Sequence, residues 1–168
     1  MKSTNPDKVA EACVYFALQL FHALEDPENY EKAFSLFSRA AELGNTEGIF
    51  YMGVSYHYGH GVEKNIERAI ELFEKAARKP LIKPKPRNVG VQGAQFMLGI
   101  CYSAGVGKPI DYVESAKWFS KSSENGKVTA ATNLGTQYWL GQGVEKNRER
   151  AIQYWKLGAG RGNKILFM

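Results

Sequence analysis

The stretch EGIFYMGVSYHYGHGVEKNIERAIELFEKAA, residues 47–77, decides the fold, because it recurs as TAATNLGTQYWLGQGVEKNRERAIQYWKLGA at residues 129–159. The two segments align without a gap at a shift of 82 residues, and their GVEKN letters are identical. An internal repeat of this kind predicts an array of stacked structural units, each of which contacts its neighbours.

Two further copies complete the array. GAQFMLGICYSAGVGKPIDYVESAKWFSKSS, residues 93–123, lies 46 residues after the first segment and 36 before the last, and a weaker copy lies 36 residues upstream. In this upstream copy, which comes first along the chain, the glycine turn is replaced by LEDPENY. Between the second and third copies, the period of 36 is interrupted by ten inserted residues near 80–89. We predict a single repeat domain over residues 1–168. Its repeats lie at about 10–45, 46–80, 92–127 and 128–163, and an apolar C-terminal tail follows at 164–168.

Each copy predicts a pair of helices. Apolar and small residues at three- and four-residue spacing mark the packed face of the first helix, which we call helix A. A Gly-x-Gly turn can end helix A by adopting positive φ. Asn65, Asp111 and Asn147 then stand where a side-chain oxygen caps the second helix, helix B. One pair cannot bury its apolar face alone, so the pattern predicts an all-α, right-handed α-solenoid of stacked antiparallel helix pairs with a concave inner surface.

The recurring positions resemble the Sel-one-like repeat, a relative of the tetratricopeptide repeat, over about residues 10–163. The last copy carries the motif most fully, at Leu134, Gly135, Tyr138, Gly141, Gly143, Val144, Lys146, Asn147, Ala151, Trp155, Ala159 and Gly162. The resemblance implies a tetratricopeptide-like superhelix and a non-catalytic scaffold or adaptor that binds other proteins in assembly, signalling or quality-control complexes. Similar proteins include a cysteine-rich bacterial group discussed as β-lactam binders, which pairs cysteines within each repeat; this chain has no cysteines so placed.

The helical period predicts a binding groove on helix A, 90 to 150° from its packed face. The expected lining is apolar and aromatic, which favours a hydrophobic helix or an extended peptide with aromatic anchors. The alternative is that neighbouring helices cover these side chains. The predicted groove residues are Phe50, Val54 and His57; Phe96, Ile100 and Ser103; and Thr132, Thr136 and Trp139. The same shifts place Val14, Leu18 and Phe21 there in the first copy.

Three features could suggest catalysis or metal binding. His57 and His60 form an H-x-x-H pair, but a metal site needs a third ligand, and both histidines are absent from the other copies. The Gly-x-Gly-Val-x-Lys segment follows a helix rather than a strand, which indicates an interhelical turn and not a phosphate loop. Cys13 and Cys101 are isolated, so each is expected to be a small apolar residue in a helix interface. We therefore expect no enzyme activity, no metal and no cofactor.

Composition limits the remaining functions. The formal charge of +5 is spread along the chain except for one basic cluster, RKPLIKPKPR, at residues 78–87. We expect this cluster to be a solvated loop rather than a nucleic-acid site. No apolar run is long enough to span a bilayer and no secretory signal is recognised, so we expect a cytoplasmic protein without membrane insertion. The expected partner is a protein or peptide. The alternatives are a homo-oligomeric repeat module that assembles through the apolar C-terminal end, and a β-lactam-binding or hydrolysing repeat protein.

Overall fold

A computed structural model describes residues 5–23, 26–81 and 88–160, and within these ranges the chain forms eight helices and no strand. The helices are α1 (Pro6–His22), α2 (Pro27–Glu42), α3 (Thr46–Tyr58), α4 (Ile66–Ala77), α5 (Val89–Ala104), α6 (Tyr112–Glu124), α7 (Val128–Leu140) and α8 (Arg148–Ala159). Odd-numbered helices are the predicted helices A and even-numbered ones the predicted helices B. The all-α fold of successive helix pairs is confirmed.

The predicted capping residues of helix B are confirmed. The side-chain oxygen of Asn65 accepts the Arg68 backbone N–H at 2.9 Å, and Asn147 accepts the Arg150 N–H at 2.9 Å. Asp111 accepts two backbone N–H groups at the start of α6. These contacts satisfy donors that have no partner inside the helix and so fix where each helix B begins.

The Gly-x-Gly turn ends helix A for a geometric reason. Gly59 follows α3 with φ of 80°, and its N–H donates to the Ser55 carbonyl at 2.8 Å. Gly61 has φ of 70°, and a Cβ there would overlap the Tyr30 backbone carbonyl. Gly143 lies against the Tyr112 carbonyl in the same way. The second glycine is therefore required both by its conformation and by the close approach of the preceding helix B.

The chain divides into two compact units. In the first unit, helices α1 to α4 pack in sequence order, and residues 88–94, which include the start of α5, belong to the same unit. Ala17, Ala33 and Phe37 form a fully buried cluster against which Tyr51 and Met52 of α3 pack. Gly53 lies against the Phe73 ring, where a Cβ would come within 2.8 Å of a ring carbon. Helices α3 and α4 therefore approach closely at this glycine.

The second unit contains residues 95–104 of α5 with α6, α7 and α8. Its core cluster consists of Ala116, Phe119, Ala130 and Leu134. Gly135 meets the Trp155 ring, with 2.7 Å between the position of an added Cβ and a ring carbon. Small residues at this place in helix A therefore admit the aromatic side chain of helix B in both units.

A buried serine stands where the other repeats carry alanine. Ser115 of α6 donates its hydroxyl to the Gly99 carbonyl at 2.8 Å and accepts from Gln137 Nε2 at 2.9 Å. All three residues are buried. The two hydrogen bonds offset the cost of burying the hydroxyl and link α5, α6 and α7.

Candidate binding surfaces

The predicted groove row on α3 is mostly covered within the first unit. Phe50 is only 8% exposed, and its ring lies against Gly93, where an added Cβ would come within 2.7 Å of a ring carbon. Val54 and His57 are half-buried. The prediction that Phe50 is an exposed groove residue is wrong, because the glycine at position 93 lets α5 pack directly on its ring. The binding role of Val54 and His57 stays a prediction.

His57 and His60 lie among aromatic rings. His60 stacks on Tyr30 with ring centroids 4.3 Å apart and an interplanar angle of 5°. His57 packs edge-on against Tyr58 at 4.6 Å, and burial, followed by the nearby Lys64 charge, lowers the pKa of His57. A neutral imidazole is therefore favoured at position 57. In the described part of the chain, no group of three or more His, Cys, Asp or Glu side chains could hold a metal ion.

The predicted row on α5 belongs largely to the core of the second unit. Phe96 and Ile100 are half-buried and pack against the cluster around Phe119. The ammonium of Lys127 lies 5.4 Å from the centre of the Phe96 ring. Ser103 is half-buried and donates its hydroxyl to the Ile100 carbonyl at 3.1 Å. Core packing accounts for these contacts, and binding at this row stays a prediction.

The row on α7 is the exposed part of the predicted groove. Thr132 and Thr136 are exposed, and the Thr136 hydroxyl donates to the Thr132 carbonyl at 3.2 Å. Trp139 is 37% exposed. Its ring lies 5.4 Å from the Trp155 ring and 5.0 Å from the Arg148 guanidinium, between centres. We call Thr132, Thr136 and Trp139 the α7 row.

The most exposed aromatic pair in the described chain was not singled out by the sequence reasoning. Tyr15 and Phe16 of α1 are 60% and 59% exposed. Phe16 borders a surface pocket of about 500 Å³ whose other lining residues include Val9, Ala12 and Leu36. The sequence does contain a signal for this pair. The shift of 36 places Tyr15 and Phe16 at the positions of Tyr51 and Met52, which pack on the preceding helix pair.

The cysteines are buried in the two units and unpaired. Burial raises the pKa of the Cys101 thiol to about 11, so this thiol stays protonated at neutral pH. A buried, protonated thiol is a poor nucleophile. This environment fits the predicted packing role of Cys101.

Two predictions concern residues outside the described ranges. Residues 82–87 of the basic cluster are not described, and the described Arg78 is exposed and lies 3.5 Å from the Glu74 carboxylate. The apolar tail at 164–168 also lies outside the described residues. Among the helices described, none has the length and apolar character needed to cross a bilayer.

The repeated helix pair and its glycine turn agree with a family model described as "Sel1 repeat", which matches residues 11–45, 46–80, 93–127 and 128–163. The chain belongs to the Sel1 repeat family. Its four Sel1 repeats account for all eight described helices, and the predicted family resemblance is confirmed.

Solved structures of Sel1 repeat proteins share this fold. A Sel1 repeat protein from Oxalobacter formigenes superposes with a TM-score of 0.74 at 30% identity, covering 95% of this chain and 59% of that one. A protective antigen of uropathogenic Escherichia coli with an SLR fold gives a TM-score of 0.76 at 28% identity, covering 96% of this chain and 34% of that one. The fold class is therefore that of the Sel1-type solenoid.

Curated relatives are much longer proteins. Human "Protein sel-1 homolog 2" is 35% identical over 126 residues, which is 75% of this chain and 17% of that protein. An Arabidopsis thaliana "ERAD-associated E3 ubiquitin-protein ligase component HRD3A" is 33% identical over 100 residues, 60% of this chain and 13% of that protein. The chain thus spans about a sixth of the length of these relatives or less.

Proposed function

We propose that this Sel1 repeat chain is a non-catalytic scaffold that binds a segment of another protein, and that the α7 row is the principal contact. Relatives whose names place them in a ligase complex or describe a binding partner, such as the "DAP3-binding cell death enhancer 1" of rat, support an interaction role. The rat protein is 22% identical over 166 residues. We keep the cytoplasmic location as a prediction.

The proposal rests on the Trp139 ring, which is exposed and in contact with neighbouring side chains. Its contacts with Trp155 and Arg148 restrict its motion, so binding there costs little additional side-chain entropy. Tryptophan is enriched among the side chains that dominate binding energy at protein interfaces. The exposed hydroxyls of Thr132 and Thr136 add polar groups along the same helix face.

The chemistry of this surface suggests the kind of segment it binds. An aromatic or long aliphatic side chain would cover the exposed part of the Trp139 ring. An acidic residue beside it would pair with the Arg148 guanidinium, whose planar geometry suits a carboxylate. We therefore expect a helical or extended segment that combines one apolar anchor with one neighbouring carboxylate.

Selection from a random peptide library displayed on phage, with the wild-type chain as bait, tests this proposal. The selected peptides are then titrated calorimetrically against Trp139→Ala and against Leu140→Ala. Leu140 is exposed and adjacent in sequence but lies off the α7 row, so it is a matched control. We expect at least ~10-fold weaker binding to the Trp139 variant and less than ~2-fold change for the control. Equal affinity for both variants, or no peptide enrichment, would contradict the proposal.

A further inference from the structure

Helix α1 exposes a face that is covered in the other three helices A. Ala12, Tyr15, Phe16 and Gln19 are all exposed. The counterparts in the three later repeats are buried or half-buried: Gly48, Tyr51, Met52 and Ser55 in α3; Ala94, Met97, Leu98 and Cys101 in α5; Ala130, Asn133, Leu134 and Gln137 in α7. We call Ala12, Tyr15, Phe16 and Gln19 the α1 face.

The first unit shows what covers this face in α3. The Tyr51 ring stacks on Phe37 of α2, with centroids 5.0 Å apart and an interplanar angle of 13°. Gly48 lies against Ala40 of α2, so closely that an added Cβ would come within 2.7 Å of the Ala40 Cβ. This face of helix A therefore packs on helix B of the preceding repeat.

Helix α8 carries the other half of such an interface, and its residues are less covered than their counterparts in the earlier helices B. Ile152 is 41% exposed, whereas its counterparts in the earlier repeats are buried (Ile70, Ala116) or half-buried (Phe34). Trp155 and Gly158 are half-buried, whereas the residues at their positions in the three earlier helices B are fully or almost fully buried: Phe37, Phe73 and Phe119 for Trp155, and Ala40, Ala76 and Ser122 for Gly158. We call Ile152, Trp155 and Gly158 the α8 face.

We propose that the α1 face of one copy packs on the α8 face of a second copy, in the register of α3 on α2, so that the chain self-associates head to tail. The repeat itself identifies the occupant, because the α1 face is built to receive a helix B and the α8 face is built to receive a helix A. Two copies of this chain can therefore pair, with the α1 face of one copy against the α8 face of the other. The contact continues the repeat-to-repeat interface that already exists within each unit.

The register makes specific contacts. Tyr15 stacks on Trp155 of the second copy as Tyr51 stacks on Phe37. Ala12 meets Gly158, and both are small, as the close approach of Gly48 and Ala40 requires. Since the two faces differ, the contact is heterologous, and each added copy leaves one α1 face and one α8 face available.

Analytical ultracentrifugation of the full chain over a concentration series tests this proposal with Phe16→Glu and Ile152→Glu. Both residues are exposed, and the charge that each variant adds would be buried only in the association. Val113→Glu is the control: Val113 is exposed, and its counterparts in the other repeats are glutamates, Glu31, Glu67 and Glu149. Circular dichroism checks that each variant folds, and Phe16→Gln with Ile152→Gln are the milder substitutes.

We expect the mass of the wild type and of the control to rise with concentration above the monomer value of 18.8 kDa. Each single variant should weaken association at least ~30-fold, as the loss of a dominant interface side chain does. An equimolar mixture of the two variants retains one intact pair of faces, so it should form a dimer and nothing larger.

Three results would overturn the proposal. The first is a monomeric wild type at all concentrations up to about the millimolar range, where even weak self-association is detected. The second is a variant of either face that associates as well as the wild type, which would mean that this face takes no part. The third is a mixture of the two variants that stays monomeric, which would mean that the two faces do not pair with each other.

Discussion

The row Phe50, Val54 and His57 on α3 and the α7 row occupy the same positions of the Sel1 repeat, 82 residues apart, but differ in exposure. Phe50 is buried under α5 at Gly93, whereas Thr132, at its position, is exposed. At the third position His57 is half-buried and Trp139 is exposed. A repeat position therefore fixes the direction of a side chain, while the neighbouring helix decides whether solvent reaches it.

The largest expected effect follows from this difference in burial. Phe50→Ala should lower the free energy of unfolding by about 3–5 kcal/mol, because it leaves a cavity in the first unit. Trp139→Ala should lower it by about 1 kcal/mol, because the ring is partly solvated before the change. Urea unfolding followed by circular dichroism measures both values. Similar losses for the two variants would show that the two rows do not differ in burial in solution.

The next effect tests whether the turns after the two rows are alike. Gly61→Ala should destabilise by about 3 kcal/mol or more, because positive φ costs an L-residue about 1–2 kcal/mol and the methyl group also meets the Tyr30 carbonyl. Gly59→Ala has the conformational cost alone, since its added Cβ would stand 3.5 Å or more from its neighbours.

The second unit provides the matched control, because Gly143 meets the Tyr112 carbonyl as Gly61 meets that of Tyr30. The Gly143→Ala change should match Gly61→Ala within about 1 kcal/mol, a range set by context. A clearly smaller loss at Gly143 would mean that the turns differ as well as the side chains. Urea unfolding of the three variants makes this comparison.

The smallest effect concerns pH and only the α3 row. Burial, and then the Lys64 charge, lowers the pKa of folded His57 below its ordinary value of 6.5, so the unfolded chain binds more protons as the pH falls below that value. The contribution to stability is present above about pH 6.5 and is lost as the pH falls toward the lower folded pKa.

The His57→Gln variant should lose less stability than the wild type between pH 7 and pH 5, measured as the shift in urea midpoint. If the His57→Gln variant kept the wild-type dependence of the urea midpoint on pH, the His57 side chain would not contribute to the pH dependence of stability.

Sequence reasoning predicted the helix pairs well because their signals are local. The Asn65 and Asp111 caps, and the glycines that end helix A, act within one turn of their own positions, so the repeat reveals them directly. The close approach at Gly53 was predictable for a similar reason, since the glycine recurs opposite an aromatic residue of helix B.

The candidate surfaces were predicted less well because exposure depends on contacts between repeats. Carrying positions from one copy to another gave Trp139 and Phe50 the same groove role, although the Trp139 side chain is exposed and the Phe50 side chain is buried. Tyr15 and Phe16 were missed because their positions read as packed helix-A positions in every copy.

The sequence by itself determined the repeat, the helix pairs, the caps and the turns, because each depends on backbone conformation and on neighbours within a few residues. Tertiary structure alone decided which of the equivalent side chains reach solvent. Gly93 brings α5 onto Phe50, while the same repeat position on α7 leaves Thr132 exposed. Burial depends on the volume and shape of residues that are distant along the chain, and no local pattern contains that information.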